Sequence, residues 1–424
     1  MRPVRGASRF TRTHHRIVKV CHSAGAWLNA RRGTYICAVA LGMRRSKLHF
    51  RYSLTRRGSR STWVGCETFA QVPTRCLPSA GSILLVADGS LPHHGVDHLA
   101  DVLRRMGPTL EMHTYAISAK DTMLLEELAR DIGDLKPDLV YIAGGGTLCD
   151  VAGLAASLAN PAIPTVLFPT TTVSMCDASV GGLTGLDRGG VKNAWSTRHL
   201  PVAVVACCEW LDTLPEDHLM SGFAEVVKML FLSPRRQRTL AWLAACGGAL
   251  LGRQADAVLK VVATGARIRA CWAGSPRKRR RDLFGHGVGH ALELELVIPH
   301  GEAVARGMLV EAAVAVRLEM LRRESYDLLL TTLSALGLPG AQRSCPWGPE
   351  LTALLKRQRL YDGTNLHLAL PTSSRLHPCV ACELSPARWE AIQPPTPCFG
   401  GPAPPTPADS QIENARPQAP RSGA

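Results

Sequence analysis

From residue 82 onward, short apolar runs alternate with stretches whose apolar positions recur every three to four residues. Ser82-Ile-Leu-Leu-Val-Ala87 has strand length and ends in Asp88-Gly-Ser. Val96, Leu99 and Leu103 follow at i, i+3 and i+7, which predicts a helix buried along that face. Residues 110–117 predict a strand and 124–132 an amphipathic helix, and the apolar run 137–143 leads directly into Gly144-Gly-Gly146. A further strand, 164–168, ends in Pro169-Thr-Thr-Thr172, and residues 48–54 alternate like a strand. Strand and helix alternating at this spacing predict a parallel sheet with helices on its faces.

Beyond Leu214-Pro215 the pattern changes to long helical repeats over 219–232, 240–270 and 301–323, with sparse strand signals. The expected fold class is therefore α/β: an N-terminal Rossmann-like nucleotide-binding domain over 46–212 and a C-terminal, mainly α-helical metal-binding domain over 213–392. Residues 1–45 form a basic leader that is expected to be disordered. The Pro-, Gly-, Ala- and Ser-rich tail, 393–424, is expected to be disordered.

Charge sharpens this division. The chain of 424 residues carries a formal net charge of +15. Of its 49 Lys and Arg, 15 lie in residues 1–66, where no Asp or Glu occurs, so the rest balance the 34 acidic residues. A neutral body with a basic leader argues against a nucleic-acid binder. The leader is Arg-rich, acid-free and without a secretory apolar core. It reads either as an organelle transit peptide or as translated upstream sequence with Met43 as the start. No apolar run reaches the roughly 18 residues a membrane span needs, so no membrane partner is expected. The 14 cysteines include the pair Cys207-Cys208 and a single Cys379-Val-Ala-Cys382, and they read as reduced thiols of a cytoplasmic protein.

Candidate chemistry lies in two places. The glycines 144, 145 and 146 at a strand-to-helix turn would let backbone N–H groups approach a pyrophosphate at a helix N-terminus. Thr170 and Thr171 place hydroxyls at the expected carboxyl edge of the sheet. Asp177-Ala-Ser-Val-Gly-Gly182 and Gly190-Val-Lys192-Asn193 add an acid and a base in further Gly-rich loops. The second place is Phe284-Gly-His286-Gly-Val-Gly-His290-Ala-Leu-Glu293, followed by His300-Gly-Glu302. His286 and His290 stand at i, i+4, and Ala224-Glu225-Val-Val-Lys228 adds a carboxylate upstream. Two imidazoles and one carboxylate, with a position left for water or substrate, describe a catalytic zinc site.

The ordered set GGGxxxD, PTTxxxxxDxSVGG, KN, TLP, GxAEVxK, GHxxGHxxE and HGExVxxGM resembles the 3-dehydroquinate synthase family of sugar-phosphate cyclases, over about residues 46–372. The resemblance implies bound NAD, one divalent metal (zinc or cobalt), a small-molecule sugar phosphate as substrate and a homodimer. It implies oxidation, phosphate elimination, reduction and aldol closure to a carbocycle. By position it implies Glu225, His286 and His300 as metal ligands, which moves His290 from ligand to substrate partner. Lys192, Lys228, His290, Asp177 and Arg279 take catalytic or substrate-touching positions. Asp88, Gly144, Gly145, Gly146, Asp150, Thr170, Thr171, Asn193, Thr213 and Leu214 fall at cofactor positions, and Lys120 stands near another.

The departures concern cations and one amide. Leu183 stands where the family has the lysine of GGKTG, Pro161 where it has an arginine, and Leu283 where it has an asparagine. A lysine position of the family falls near Gly265, with Arg267 and Arg269 close by, and Arg357-Gln-Arg359 stands where the family has a DKK segment. Such groups supply charge-assisted hydrogen bonds to phosphate and carboxylate. Three readings stay open: a cyclase with altered substrate for secondary metabolism, 3-dehydroquinate synthase of the shikimate pathway proper, or a metal-dependent polyol dehydrogenase of the same fold.

Overall fold

The structure, a computed structural model, describes residues 48–53, 61–67, 78, 80–189, 191–273, 279–338, 348–358 and 360–392. The leader expected over 1–45 and the tail expected over 393–424 lie outside the described residues. The first half is built on a sheet of β1 (Leu48–Ser53), β2 (Ser61–Glu67), β3 (Ser82–Asp88), β4 (Thr109–Tyr115), β5 (Leu139–Gly144), β6 (Thr165–Pro169) and β9 (Ala203–Cys207), in the order β1-β2-β9-β6-β5-β3-β4. All pairings are parallel except β1 with β2, so the expected parallel sheet carries one antiparallel edge. β5, β6 and β9 are buried at every position, because elements cover both faces. β4 is an edge strand, and its mostly exposed TLEMHTY reads accordingly.

Period-two alternation divides the core. Leu84, Val86, Val140 and Ile142 point into one apolar cluster, where α2 (Thr122–Leu135) and α3 (Gly146–Leu158) pack. Ile83, Leu85, Tyr141 and Phe168 point into the other, with α1 (His93–Arg104) and, without a break, the apolar residues of the helical half. The three apolar positions expected for α1, Val96, Leu99 and Leu103, are all buried. Asp121 caps α2, accepting from Leu124 N–H at 3.1 Å, and Lys136 ends it in the left-handed region. Of the two stretches read as Gly-rich loops, the first falls in a short helical turn (Ser174–Ala178) and the loop after it, while Lys192 and Asn193 lie instead on a strand of an antiparallel hairpin, β7 (Leu183–Arg188) and β8 (Val191–Arg198), packed over α3. A Cβ on Gly153 would come within 2.6 Å of Thr184 Cγ2, so α3 needs glycine there.

The helical half comprises α4 (Glu216–Phe231), α5 (Arg236–Ala245), α6 (Gly247–Leu251), α7 (Ala255–Ala273), α8 (His286–Leu296), α9 (His300–Arg317), α10 (Arg323–Ala335), α11 (Pro349–Lys356) and α12 (Pro386–Ile392). The repeat expected over 240–270 is broken twice, at Gly247 and at Gly252-Arg253, where Arg253 adopts φ +52°. A Cβ on Gly247 would sit 2.2 Å from the Ala335 carbonyl oxygen, so packing against α10 sets the first break. The repeat expected over 301–323 likewise ends at Arg317, with Glu319 at φ +57° before α10 begins. A second hairpin, β10 (Leu366–Pro371) with β11 (Cys379–Leu384), was not expected. Its short apolar runs carry no alternation that separates strand from buried helix. Among the described residues, no helix is long and apolar enough to cross a membrane.

α9 is the axis of this half and is buried from Gly301 to Ala315. It touches its neighbours through glycines: a Cβ on Gly301 would lie 2.1 Å from Ser221 Cα of α4, and one on Gly307 would lie 2.0 Å from the Gly285 carbonyl oxygen. These close approaches bring the α4 face bearing Glu225 against the N-terminal ends of α8 and α9.

Candidate active site

The first component is the carboxyl edge of the sheet. β3 leads outward to β4, and the chain then crosses back to β5, so the strand order reverses between β3 and β5. Ligands of open α/β sheets bind at such a reversal. Asp88 ends β3, where its Oδ1 accepts from Ser90 N–H at 2.9 Å. Gly144 ends β5, Gly145 precedes α3, and Gly146 begins it. No side chain caps α3 and its first turn holds no acid, so its leading N–H groups face outward for an anion. Space is tight: a Cβ on Gly144 would meet Leu148 Cδ2 at 2.8 Å, and one on Gly145 would meet Thr171 Cγ2 at 3.2 Å. Thr170 and Thr171 follow β6 beside this turn, and Thr170 N–H donates to the Gly144 carbonyl at 3.0 Å. The arrangement fits a dinucleotide pyrophosphate.

The second component is a cluster of ligand-type atoms. Glu225 on α4, His286 at the start of α8 and His300 at the start of α9 each bring one such atom within 4.8 Å of the others. His286 Nε2 and His300 Nε2 lie 3.2 and 3.4 Å from Glu225 Oε1. Lys228 Nζ contacts Glu225 Oε2 from one turn along α4. Glu225 is fully buried, yet neither of its oxygens receives a directed hydrogen bond. Burial pushes its carboxyl up, but the Lys228 ammonium and the two imidazoles pull it well below the usual range. Buried lone pairs converging from one carboxylate and two imidazoles fit a divalent cation.

His290 does not join that trio. It belongs to a second grouping with Glu293 and His300, and its ring centroid stands 5.1 Å from that of His286 and 6.0 Å from that of His300. Helical spacing from His286 puts both rings on one face of α8, but His300 occupies the position beside Glu225 that spacing alone would give to His290. Burial, with His286 and His300 nearby, pushes the His290 imidazolium down to about 3, so it is neutral near pH 7, with one ring nitrogen a donor and the other an acceptor. For His300, burial lowers the pKa but the neighbouring carboxylates of Glu225 and Glu293 carry it up to about 9.

Cations and carboxylates alternate between the two components. Lys120 Nζ bonds Asp150 Oδ2 at 2.5 Å and Asn193 Oδ1 at 2.6 Å, so three of the expected cofactor positions form one cluster. Burial pushes Asp150 up to about 6, against the pull of Lys120. Asn193 adopts φ +49°, and its N–H donates to Asp187 Oδ1 at 2.7 Å. Lys192 Nζ reaches Glu293 Oε1 at 3.1 Å and Asp187 Oδ2 at 3.5 Å, joining β8 to α8. Asp177, in the turn after Thr172, pairs with Arg269 Nε of α7 at 2.8 Å, and Arg269 Nη1 bonds Asp282 Oδ2 at 2.8 Å. Lys228 Nζ also donates to the Asp282 carbonyl at 3.3 Å.

Thr213 and Leu214 lie between β9 and α4, where Arg253 Nη2 donates to the Leu214 carbonyl at 2.7 Å. They stand apart from the Lys120 cluster in every described contact. Arg279 lies in the short turn Arg279–Leu283, and its side chain is outside the described residues, as is most of the basic run around it. Leu283 is exposed, so it offers no polar group where an asparagine was expected.

Sequence reasoning gave no role to Glu293, Arg269, Asp282 or Glu311. Glu293 was visible as the third member, with His286 and His290, of a stripe along α8. Glu311 carries no motif. It lies wholly buried on α9, accepting from Gly285 N–H at 2.7 Å and Val288 N–H at 3.1 Å, and so caps the helix that starts at His286. Burial pushes its carboxyl up to about 8 despite those bonds.

Residues 117–221 match the family model described as 3-dehydroquinate synthase N-terminal, and residues 222–357 match 3-dehydroquinate synthase C-terminal. The chain is 32% identical over 305 residues to the 3-dehydroquinate synthase of Shouchella clausii, covering 68% of this chain and 81% of that protein. Among solved structures, it is similar to 2-epi-5-epi-valiolone synthase from Streptomyces hygroscopicus subsp. jinggangensis 5008 with NAD+ and Zn2+ bound. That likeness has a TM-score of 0.68 at 24% identity, over 78% of this chain and 94% of the other. A 2-deoxy-scyllo-inosose synthase complexed with carbaglucose-6-phosphate, NAD+ and Co2+ gives 0.69 at 18% identity, over 79% and 97%. At these identities the two structures establish a common fold.

Proposed function

Because the chain belongs to the 3-dehydroquinate synthase family, we propose that it is a sugar-phosphate cyclase using NAD and one divalent metal, zinc or cobalt. The observation that carries this reading is the convergence of Glu225, His286 and His300 on a common point, with both buried Glu225 oxygens lacking a directed hydrogen bond. The division of labour is that of two domains meeting near Thr213: the sheet half holds the cofactor and the helical half the metal and substrate. When bound, the nicotinamide supplies a reversible hydride acceptor and the cation a Lewis acid for substrate hydroxyls.

The chain's own groups do the rest. Gly144, Gly145 and Gly146 present N–H donors to the pyrophosphate, with Thr170 and Thr171 alongside. Asp88, Asp150, Asn193, Thr213 and Leu214 bound the remainder of the cofactor site, with Lys120 holding Asp150 and Asn193 in register. Neutral His290, with one ring nitrogen donating and the other accepting, passes a proton between a substrate hydroxyl and its neighbours. Lys192 holds developing negative charge on the substrate, and Asp177 orients a hydroxyl. Lys228 neutralises Glu225 from behind, so the carboxylate stays ionised although buried. Arg279 holds the departing phosphate. The product is a carbocycle with phosphate released.

The altered-substrate reading is favoured by the partners of Arg269. It lies near the missing lysine at Gly265, but it is engaged by Asp177 and Asp282 and is not presented to a substrate anion. We assign the enzyme a sugar phosphate poorer in carboxylate than the shikimate precursor, leading to a cyclitol-type ring. The 32% identity to a 3-dehydroquinate synthase favours a second reading, the shikimate enzyme itself. Incubating the purified protein with NAD+, Co2+ and six- and seven-carbon sugar phosphates, with and without a carboxylate, separates them by product mass. A product only from carboxylate-free sugars supports the first reading. A product only from the carboxylated seven-carbon substrate supports the second.

A further inference from the structure

Glu293 has no part in the roles assigned so far, although it sits beside both the cation cluster and the cofactor half. Seven residues after His286 and three after His290, it lies on the same face of α8 as both. Its side chain is 15% exposed, and each oxygen has a different partner. Oε2 faces His300 Nδ1 at 3.0 Å, while Oε1 faces Lys192 Nζ at 3.1 Å, across from the helical half on β8. The far nitrogen of the same imidazole, His300 Nε2, points at Glu225 Oε1.

We infer that Glu293 is a positioning residue that fixes His300 for metal binding and ties that fixation to the docking of the β7–β8 hairpin through Lys192. The inference rests on the metal assignment proposed above. A bound cation displaces the Nε2 proton of His300 and leaves a neutral imidazole that carries one proton. With Glu293 accepting from Nδ1–H, the proton is held there and the Nε2 lone pair is left for the cation. The acceptor also raises the basicity of that lone pair. Glu293 is itself held by Lys192, so the carboxylate cannot rotate away without losing an ion pair that spans the two halves. By linkage, a cation that sharpens the His300 geometry strengthens hairpin docking, and docking strengthens cation retention. Lys192 thus acts on the metal site without contacting any of the three ligands.

The test is a titration of metal-stripped full-length chain with Co2+ under chelator competition, each variant first checked for native circular dichroism. Glu293→Gln carries one oxygen and cannot accept from both His300 and Lys192, and the expected loss of Co2+ affinity is about 10- to 100-fold. Lys192→Met gives a sharper result. Removing a nearby positive charge would by electrostatics alone tighten cation binding, whereas loss of the tie weakens it. We expect weakening of about fivefold. The double variant should bind no more weakly than Glu293→Gln alone, because the two act in series. Unchanged affinity in Glu293→Gln overturns the inference. Unchanged or tighter binding in Lys192→Met overturns the tie between the halves, even if Glu293→Gln binds more weakly. Glu225→Gln serves as the reference: if it too retains Co2+, the metal assignment fails and the inference falls with it. If it loses Co2+ while Glu293→Gln does not, the inference alone fails.

Discussion

At the carboxyl edge of the sheet, the groups offered to a ligand are backbone N–H donors at Gly144, Gly145 and Gly146 and two threonine hydroxyls. In the helical half they are the side chains of Glu225, His286 and His300, all partly or wholly out of water. The first arrangement depends on what is missing, since a Cβ at Gly144 or Gly145 would press on Leu148 or Thr171. The second depends on ionised neighbours, because a buried carboxylate is tolerable only beside Lys228 and the imidazoles. On the proposed function, one half would hold its ligand through shape and the other through a balanced set of buried charges. Substitutions should separate them cleanly, the helical site failing through electrostatics and the sheet site through steric exclusion.

The largest effect is expected at Glu225. Glu225→Gln should abolish metal retention and turnover together, as elemental analysis after gel filtration and a phosphate-release assay would show. It also strands the buried Lys228 ammonium, so metal-free protein should lose about 3–5 kcal/mol in urea unfolding. Retention of the metal would remove the electrostatic side of the comparison.

Next is Glu311, whose folded pKa of about 8 lies above the ordinary 4.5. A raised carboxyl contributes stability that is fully present below 4.5 and is lost as the pH rises through 8. Between those limits, metal-free wild type should lose stability relative to Glu311→Gln at about 1.4 kcal/mol per pH unit, compared as slopes of urea-unfolding free energy. Parallel slopes would show that the helix-cap bonds hold Glu311 ionised throughout.

Gly307→Ala places a methyl 2.0 Å from the Gly285 carbonyl oxygen and should cost about 1–3 kcal/mol of stability, with weaker metal binding as α8 and α9 separate. The smallest expected effect is at Gly145→Val. Its φ of −70° suits any residue, so the cost is confined to the press on Thr171 and should be about 1 kcal/mol of stability. NAD+ affinity, measured by calorimetry, should nevertheless fall about tenfold, or about 1.4 kcal/mol, while Co2+ affinity holds. Equal losses at both ligands would merge the two halves into one cooperative unit.

The same contrast governs what was legible in the chain. Residues 82–88, 139–144 and 165–169 are apolar runs closed by glycine, aspartate or proline, and they became strands near the expected bounds. The clustering of Glu225, His286 and His300 was legible only as ordered motifs. Periodicity paired His286 with His290, and nothing in local spacing reveals that α9 brings His300 beside Glu225. Long-range packing through Gly301 and Gly307 decides that. The breaks in the long helical repeats were hidden for a similar reason, because Gly247 is dictated by Ala335 nearly ninety residues later. β10 and β11 were missed because short apolar runs do not distinguish strand from buried helix. Glu293, Asp282 and Glu311 were ordinary acids until the fold gave them partners.

The most direct measurement follows absorbance at 340 nm and inorganic phosphate together, in one reaction of the purified protein with NAD+, Co2+ and a sugar phosphate that it consumes. A cyclase returns its hydride within each turnover, so the account predicts one phosphate per substrate and no accumulating NADH. NADH rising in step with substrate loss, without phosphate, would contradict it and identify a dehydrogenase built on the same fold.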